Sequence, residues 1–204
     1  MPSIQGDLNH PDNQRGWVLV VGLVILVMLT ILSMALMKTA RLEEKMAGAT
    51  RDMNLSFQAA ETALRAAESF IEAQTLESIF DSNTLEDGIY SQTEDEPENI
   101  FTIDWNDTNS RAMFADEDEA LQGVTLSPRY MIKKLKKIGE SNLTITGYGD
   151  DDAPRPTVFR VTVRGTGGTN NRATLLRSHY AKKFGSGLLG PEGRLSWEQL
   201  FPSQ

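Results

Sequence analysis

From Trp17 to Met37 the chain reads WVLVVGLVILVMLTILSMALM, 21 residues without a charge. A hydrocarbon core about 30 Å thick needs about 20 helical residues at 1.5 Å each, so this run can span a bilayer. Gly22, Thr30 and Ser33 are its only interruptions, and the two hydroxyls can return to carbonyls of the preceding turn. The run is apolar all round and longer than an ordinary core helix, which argues for lipid rather than a protein interior. It also exceeds the ~7–15 residue apolar region of a secretory signal, and no clear small-x-small cleavage site follows it.

The helical periodicity does not stop at the membrane. Leu42, Met46, Ala49, Met53, Phe57, Ala60, Leu64, Ala67 and Ile71 follow steps of four or three, and no proline occurs between Pro11 and Pro97. One helix is therefore expected over about residues 17–74, about 87 Å long by its rise per residue. Gly48 is its weak point, since glycine costs a helix interior ~1 kcal/mol relative to alanine. Arg15 precedes the span and Lys38 and Arg41 follow it, which leaves the positive-inside rule nearly silent. A 16-residue leader is easier to leave in the cytoplasm than the 167 residues after the span, so N-in, C-out is expected, with the bulk periplasmic or extracellular.

Composition narrows the chemistry. The chain of 204 residues has no cysteine, which removes disulfides, thiolate metal sites and a cysteine nucleophile. A net charge of −8 argues against a general nucleic-acid binder, which needs a cationic surface to displace counterions. Residues 76–127 carry 14 acidic residues against Arg111 alone, yet also Ile100, Phe101, Ile103, Trp105, Met113 and Phe114. They read as an irregular acidic connection with apolar anchors. Residues 128–183 reverse the sign, with 12 basic and four acidic residues. Mutual attraction of the two blocks is expected, although exposed pairs contribute only ~0–1 kcal/mol each.

Val158 to Arg164 reads as a strand, Gly165 to Asn171 as its turn and Ala173 to Lys183 as a returning strand. Pro128 to Ile132 is expected as a third strand, although Met131, Leu135 and Ile138 would equally suit a short amphipathic helix. The fold class is thus α+β, a long N-terminal helix packed on a small antiparallel sheet. The chain divides into a leader at 1–16, the apolar helix at 17–37 and its amphipathic continuation at 38–75. The acidic connection at 76–127, the sheet at 128–183 and a C-terminal tail at 184–204 complete it.

A short leader ending Gln14-Arg15-Gly16, an apolar segment directly after it and a seamless helix beyond resemble the type III signal sequence of type IV pilins and type II secretion pseudopilins. Within that superfamily, residues 14–70 resemble the N-terminal domain of PilX-type minor pilins. The carrying segments are Gln14-Arg15-Gly16, Leu42 to Gly48, Arg51-Asp52 and Phe57 to Glu68. Pro128-Arg129-Tyr130, Phe159 to Thr162 and Arg164 to Gly168 are similar to that family's C-terminal sheet.

The resemblance implies a pilin-like fold and cleavage between Gly16 and Trp17 by a prepilin peptidase, beside Arg15, with methylation of the new N-terminus at Trp17. A residue without Cβ offers least resistance at such a scissile bond. Most pilins begin the mature chain with Phe and carry Glu at its fifth residue, where this chain has Trp17 and Val21. That glutamate is thought to neutralise the amine of a neighbouring subunit in the apolar filament core, where an unpaired charge is costly. A subunit without it suits the tip. The expected role is a minor pilin that primes or caps type IV pilus assembly and supports adhesion and twitching motility. Its implied partners are other minor and major pilins, the prepilin peptidase, inner-membrane assembly machinery and the lipid bilayer, but not nucleic acid. It is expected in the inner membrane before assembly and on the pilus or cell surface afterwards. A pseudopilin of a type II secretion system, or a single-pass anchored periplasmic binding or sensory module, are the rival readings.

No enzyme is expected. His10 lies in the leader and His179 on a strand, so they do not share a site, and Ser178 belongs to no nucleophile motif. Gly147-Tyr148-Gly149-Asp150-Asp151-Asp152 lacks EF-hand spacing and its terminal glutamate, and reads as a solvated loop before Pro154 rather than a calcium site. No cofactor or metal is implied. Lys133, Lys134, Lys136 and Lys137 read as a solvated face, and Trp197 as a late aromatic docked on the head or on a partner.

Overall fold

The computed structural model describes residues 15–81, 88–114, 121–138, 155–169, 172–185 and 191–202. The chain divides into two compact units, Met1–Ala49 and Thr50–Gln204. A single helix, α1 (Arg15–Ala73), runs through 59 residues, close to the expected span and starting two residues before it. A 3₁₀ turn at Glu77–Phe80 follows, then strands β1 (Ile89–Tyr90), β2 (Arg111–Ala112), β3 (Arg129–Lys137), β4 (Thr157–Thr166), β5 (Ala173–Lys182) and β6 (Gly193–Leu200).

In the first unit the described residues belong to the helix, and its apolar side chains from Trp17 to Met37 are exposed. The sheet of the second unit has the order β1-β3-β4-β5-β6, with β2 also on β3. Every pairing is antiparallel except β1 with β3. The expected hairpin is β4–β5, in unbroken register from Thr157↔Lys182 to Thr166↔Ala173. The segment that suited strand or helix is strand β3, in which Tyr130, Met131 and Ile132 are all buried on alternate faces. A helix would have left one face of that segment without a partner, whereas a central strand covers both.

Residues 50–73 of α1 lie on one face of this sheet. Ala60, Ala63, Leu64, Ala67 and Ile71 share a core with Tyr130, Ile132, Phe159, Val161, Val163 and Leu176. Phe80 closes one end, its ring centroid 4.5 Å from that of Phe159. The apolar stripe is thus buried from Ala60 onward, whereas Leu42, Met46 and Met53 are exposed. On the opposite face, the acidic connection supplies Ile100 and Trp105 to a second core with Met131 and Leu175. The Trp105 indole donates to Ile100 O at 3.1 Å. Residues 184–204, read as a tail, contribute β6, which pairs with β5 from Leu175↔Leu200 to Ala181↔Gly193.

Candidate assembly surfaces

The first surface is the helix itself. Gly16–Ala73 is long and apolar enough to cross a membrane. Thr30 donates to Leu26 O at 2.7 Å and Ser33 to Leu29 O at 2.8 Å, so neither hydroxyl is left unpaired in an apolar medium, as the sequence implied. Trp17 is 72% exposed and Val21 40% exposed; four residues apart, they share one side of the helix. Gly16 lies within the first turn of α1 with nothing within 4 Å of where a Cβ would stand. Arg15 is the first residue of the helix.

The second surface is the contact that holds residues 50–73 on the sheet, and it is organised by small residues. A Cβ at Gly165 would stand 2.3 Å from Ala60 N and 2.5 Å from Ser56 O. One at Gly167 would stand 2.4 Å from Asp52 Oδ1. The Arg164-Gly165-Thr166-Gly167-Gly168 segment is therefore where strand and helix backbones touch, which glycine alone permits. Asp52 then accepts from Thr169 N at 3.0 Å and Thr169 Oγ1 at 2.7 Å, and these bonds hold its carboxyl below its usual pKa. Alternate residues of β5 continue the contact along the helix. Thr174 meets Ser56 at 2.7 Å, Ser178 donates to Glu68 at 3.4 Å, and Tyr180 donates to Glu72. Burial, then the Glu72 bond, pushes the Tyr180 phenol well above its ordinary range. Finally Lys182 Nζ donates to Ile71 O, Glu72 O and Gln74 O at 2.7, 2.5 and 2.6 Å.

Strand β6 is tied to the same helix. Arg194 grips Glu68 with two bonds, Nε to Oε1 at 2.7 Å and Nη2 to Oε2 at 2.9 Å. Trp197 meets Phe57 edge to face at 6.0 Å between centroids, so this aromatic docks on its own head.

The acidic and basic blocks pair as their charges implied. Arg160 reaches Glu96 at 2.6 Å, Arg129 bonds Asp107, and Lys134 reaches Glu77 at 2.9 Å and Asp81 at 2.6 Å. This corrects the solvated reading of the lysine run. Lys133 and Lys134 are buried, because the strand turns them to opposite covered faces, while Lys136 and Lys137 are exposed. The 3₁₀ turn carries Glu77 to Lys134, a neighbour that sequence distance concealed. Burial raises the Glu77 carboxyl, but bonds from Lys134, Lys137 and Thr157 outweigh it and leave it below the ordinary carboxylate pKa. Burial likewise lowers Lys134, and Asp81 and Glu77 more than restore it.

Since Glu77 is more acidic folded than unfolded, its contribution is complete above the ordinary carboxylate pKa and is lost as pH falls through the lowered value. Lys134→Met is expected to cost about 2 kcal/mol near neutral pH, below the range for a fully buried pair because Asp81 is half exposed. It should also flatten the acid limb of the melting-temperature profile against pH, measured by thermal denaturation from pH 3 to 7.

His179 lies on the sheet face away from α1, its Nδ1 2.9 Å from Ser196 Oγ. Burial, then Arg160, lowers its pKa. His10 and the Gly147–Asp152 loop lie outside the described residues. Among the described residues no group of three His, Cys, Asp or Glu side chains is placed to hold a metal ion.

A long apolar N-terminal helix whose C-terminal part packs on a mostly antiparallel sheet defines a pilin-like α+β protein. A family model described as PilX N-terminal matches residues 15–65, and one described as Type IV pilus assembly protein PilX C-term matches residues 54–182. The chain belongs to the PilX family of type IV pilus assembly proteins, a structural family with no catalytic role indicated. No curated protein and no solved structure gives a significant match.

Proposed function

We propose that this chain is a minor pilin that primes or caps the type IV pilus at or near its tip, and so supports adhesion and twitching motility. A prepilin peptidase cuts it after Gly16 on the cytoplasmic side, beside Arg15, and Trp17 becomes the methylated N-terminus. The mature chain enters the inner membrane N-in, C-out, and joins other minor and major pilins through the helix at 17–37. The observation that carries the tip position is Val21. The helix side shared with Trp17 is apolar where the pilin pattern places a glutamate, so this subunit has no carboxylate there for the amine of a subunit above it. Its own amine remains available to the subunit below, and an apolar Val21 avoids an unpaired charge in the filament core.

N-terminal mass spectrometry of protein from membranes and sheared fibres, with and without active prepilin peptidase, tests the processing. A chain starting at methylated Trp17 is expected; one retaining Met1 or Pro2 in competent cells would identify an anchored module instead. Val21→Glu should leave piliation intact or mildly changed, and its abolition would remove the tip assignment.

A further inference from the structure

Arg129 and Arg164 are direct cross-strand partners in the β3–β4 ladder, on the face away from α1. Like charges directly opposite one another destabilise a sheet, so the pair calls for anions. Arg129 has one in Asp107, and its guanidinium also donates to two neutral acceptors, Ser110 Oγ at 2.8 Å and Ser110 O at 2.7 Å. Arg164 does not. It is half-buried, and among the described residues no hydrogen-bond or ion-pair partner meets its guanidinium. Burial lowers its pKa, and the field of Asp104 opposes that only from beyond ion-pair distance.

A cavity of about 130 Å³ lies against these two arginines, walled also by Trp105, Leu126, Ser127 and Thr166. Thr166 is committed, accepting from Leu126 N at 3.2 Å and donating to Leu126 O at 3.1 Å. Ser127 is not: its Oγ is buried and has no partner among the described residues. A buried hydroxyl without a partner, which is costly as it stands, and a half-buried guanidinium without a protein partner line one small cavity. One oxyanion accepting from both would satisfy the hydroxyl and neutralise the guanidinium, and charge-assisted bonds of this kind are the stronger ones. The volume is roughly four times the share of one liquid water, room for a carboxylate or a tetrahedral oxyanion.

We infer that the cavity beside Arg164 and Ser127 is an oxyanion-binding site, filled either by a carboxylate side chain from another subunit or by a free inorganic oxyanion. The site is independent of cleavage at Gly16 and of where in the fibre the subunit stands.

The test is the melting temperature of the full chain in uncharged detergent, at constant ionic strength in chloride, titrated with inorganic phosphate or with acetate. Melting temperature should rise with the logarithm of anion concentration. A response to both anions assigns the site to carboxylates, and a response to phosphate alone assigns it to a free oxyanion. Arg164→Gln should abolish the response. Ser127→Ala loses no bond in the free protein and sheds an unpaired buried hydroxyl, so it should melt at or above the wild type in chloride and bind the anion about tenfold more weakly. No response of the wild type to either anion, or a response that both variants retain in full, would overturn the inference.

Discussion

Gly165→Ala is expected to lower stability by about 3 kcal/mol, the upper end of what overpacking costs. The added methyl would meet Ala60 N at 2.3 Å, Ser56 O at 2.5 Å and Ala60 Cα at 2.8 Å. All three are backbone atoms of α1, so no rotamer change relieves the clash, and Ala60→Gly does not rescue it. The helix must lift from β4 instead, thinning the core around Val163 and Leu176. Gly168→Ala is the control, since its nearest contact is Gly123 O at 3.3 Å, and a small shift costing roughly 1 kcal/mol or less accommodates it. Urea denaturation of the full chain, followed by its tryptophan fluorescence, measures both. Equal stability of the two variants would show that the close approach at Gly165 is not a constraint.

Lys182→Met is expected to cost about 3 kcal/mol through the other end of the same contact. Lys182 is buried, and its ammonium serves three carbonyls at the C-terminus of α1, where the last carbonyls lack the i+4 donors of a continuing helix and the helix dipole favours a cation. Methionine keeps the apolar stem and removes the donors. The loss should appear as faster amide hydrogen exchange across residues 68–74, with the β4–β5 ladder near Gly165 little changed. Uniform acceleration over the whole head would instead mean that the lysine holds the global fold rather than the helix end.

These two positions show what is legible in the sequence and what is not. The close approach at Gly165 lies within a motif that stands out on reading, Arg164 to Gly168, but its reason is a helix more than 100 residues earlier. Nothing local marks Lys182 as a helix cap, because its chemistry is that of any exposed lysine until the strand register points it at Gln74. The same holds for Lys134, whose neighbours Lys133, Lys136 and Lys137 suggested solvent. Strand alternation placed it beneath the 3₁₀ turn, and Glu77 and Asp81 made its burial tolerable. Strand β6 is not legible in the sequence because its residues are mostly exposed, so no alternating pattern marks them; backbone pairing and Arg194 with Trp197 hold it in place.

What the sequence by itself determined is the part of the protein that obeys local physics. A charge-free run from Trp17 to Met37 and an unbroken 3.6-residue stripe dictate one long helix, because periodicity and the absence of proline act within a few turns. The β4–β5 hairpin is dictated in the same way, by alternation on either side of a glycine-rich turn. Tertiary structure alone decided which part of the stripe is buried, which charges of the acidic and basic blocks meet, and which glycines carry the helix. It also brought Arg129 opposite Arg164. Each of these depends on register between segments far apart in the chain, and register is set by the sum of packing and hydrogen bonding over the whole sheet rather than by any short stretch of residues.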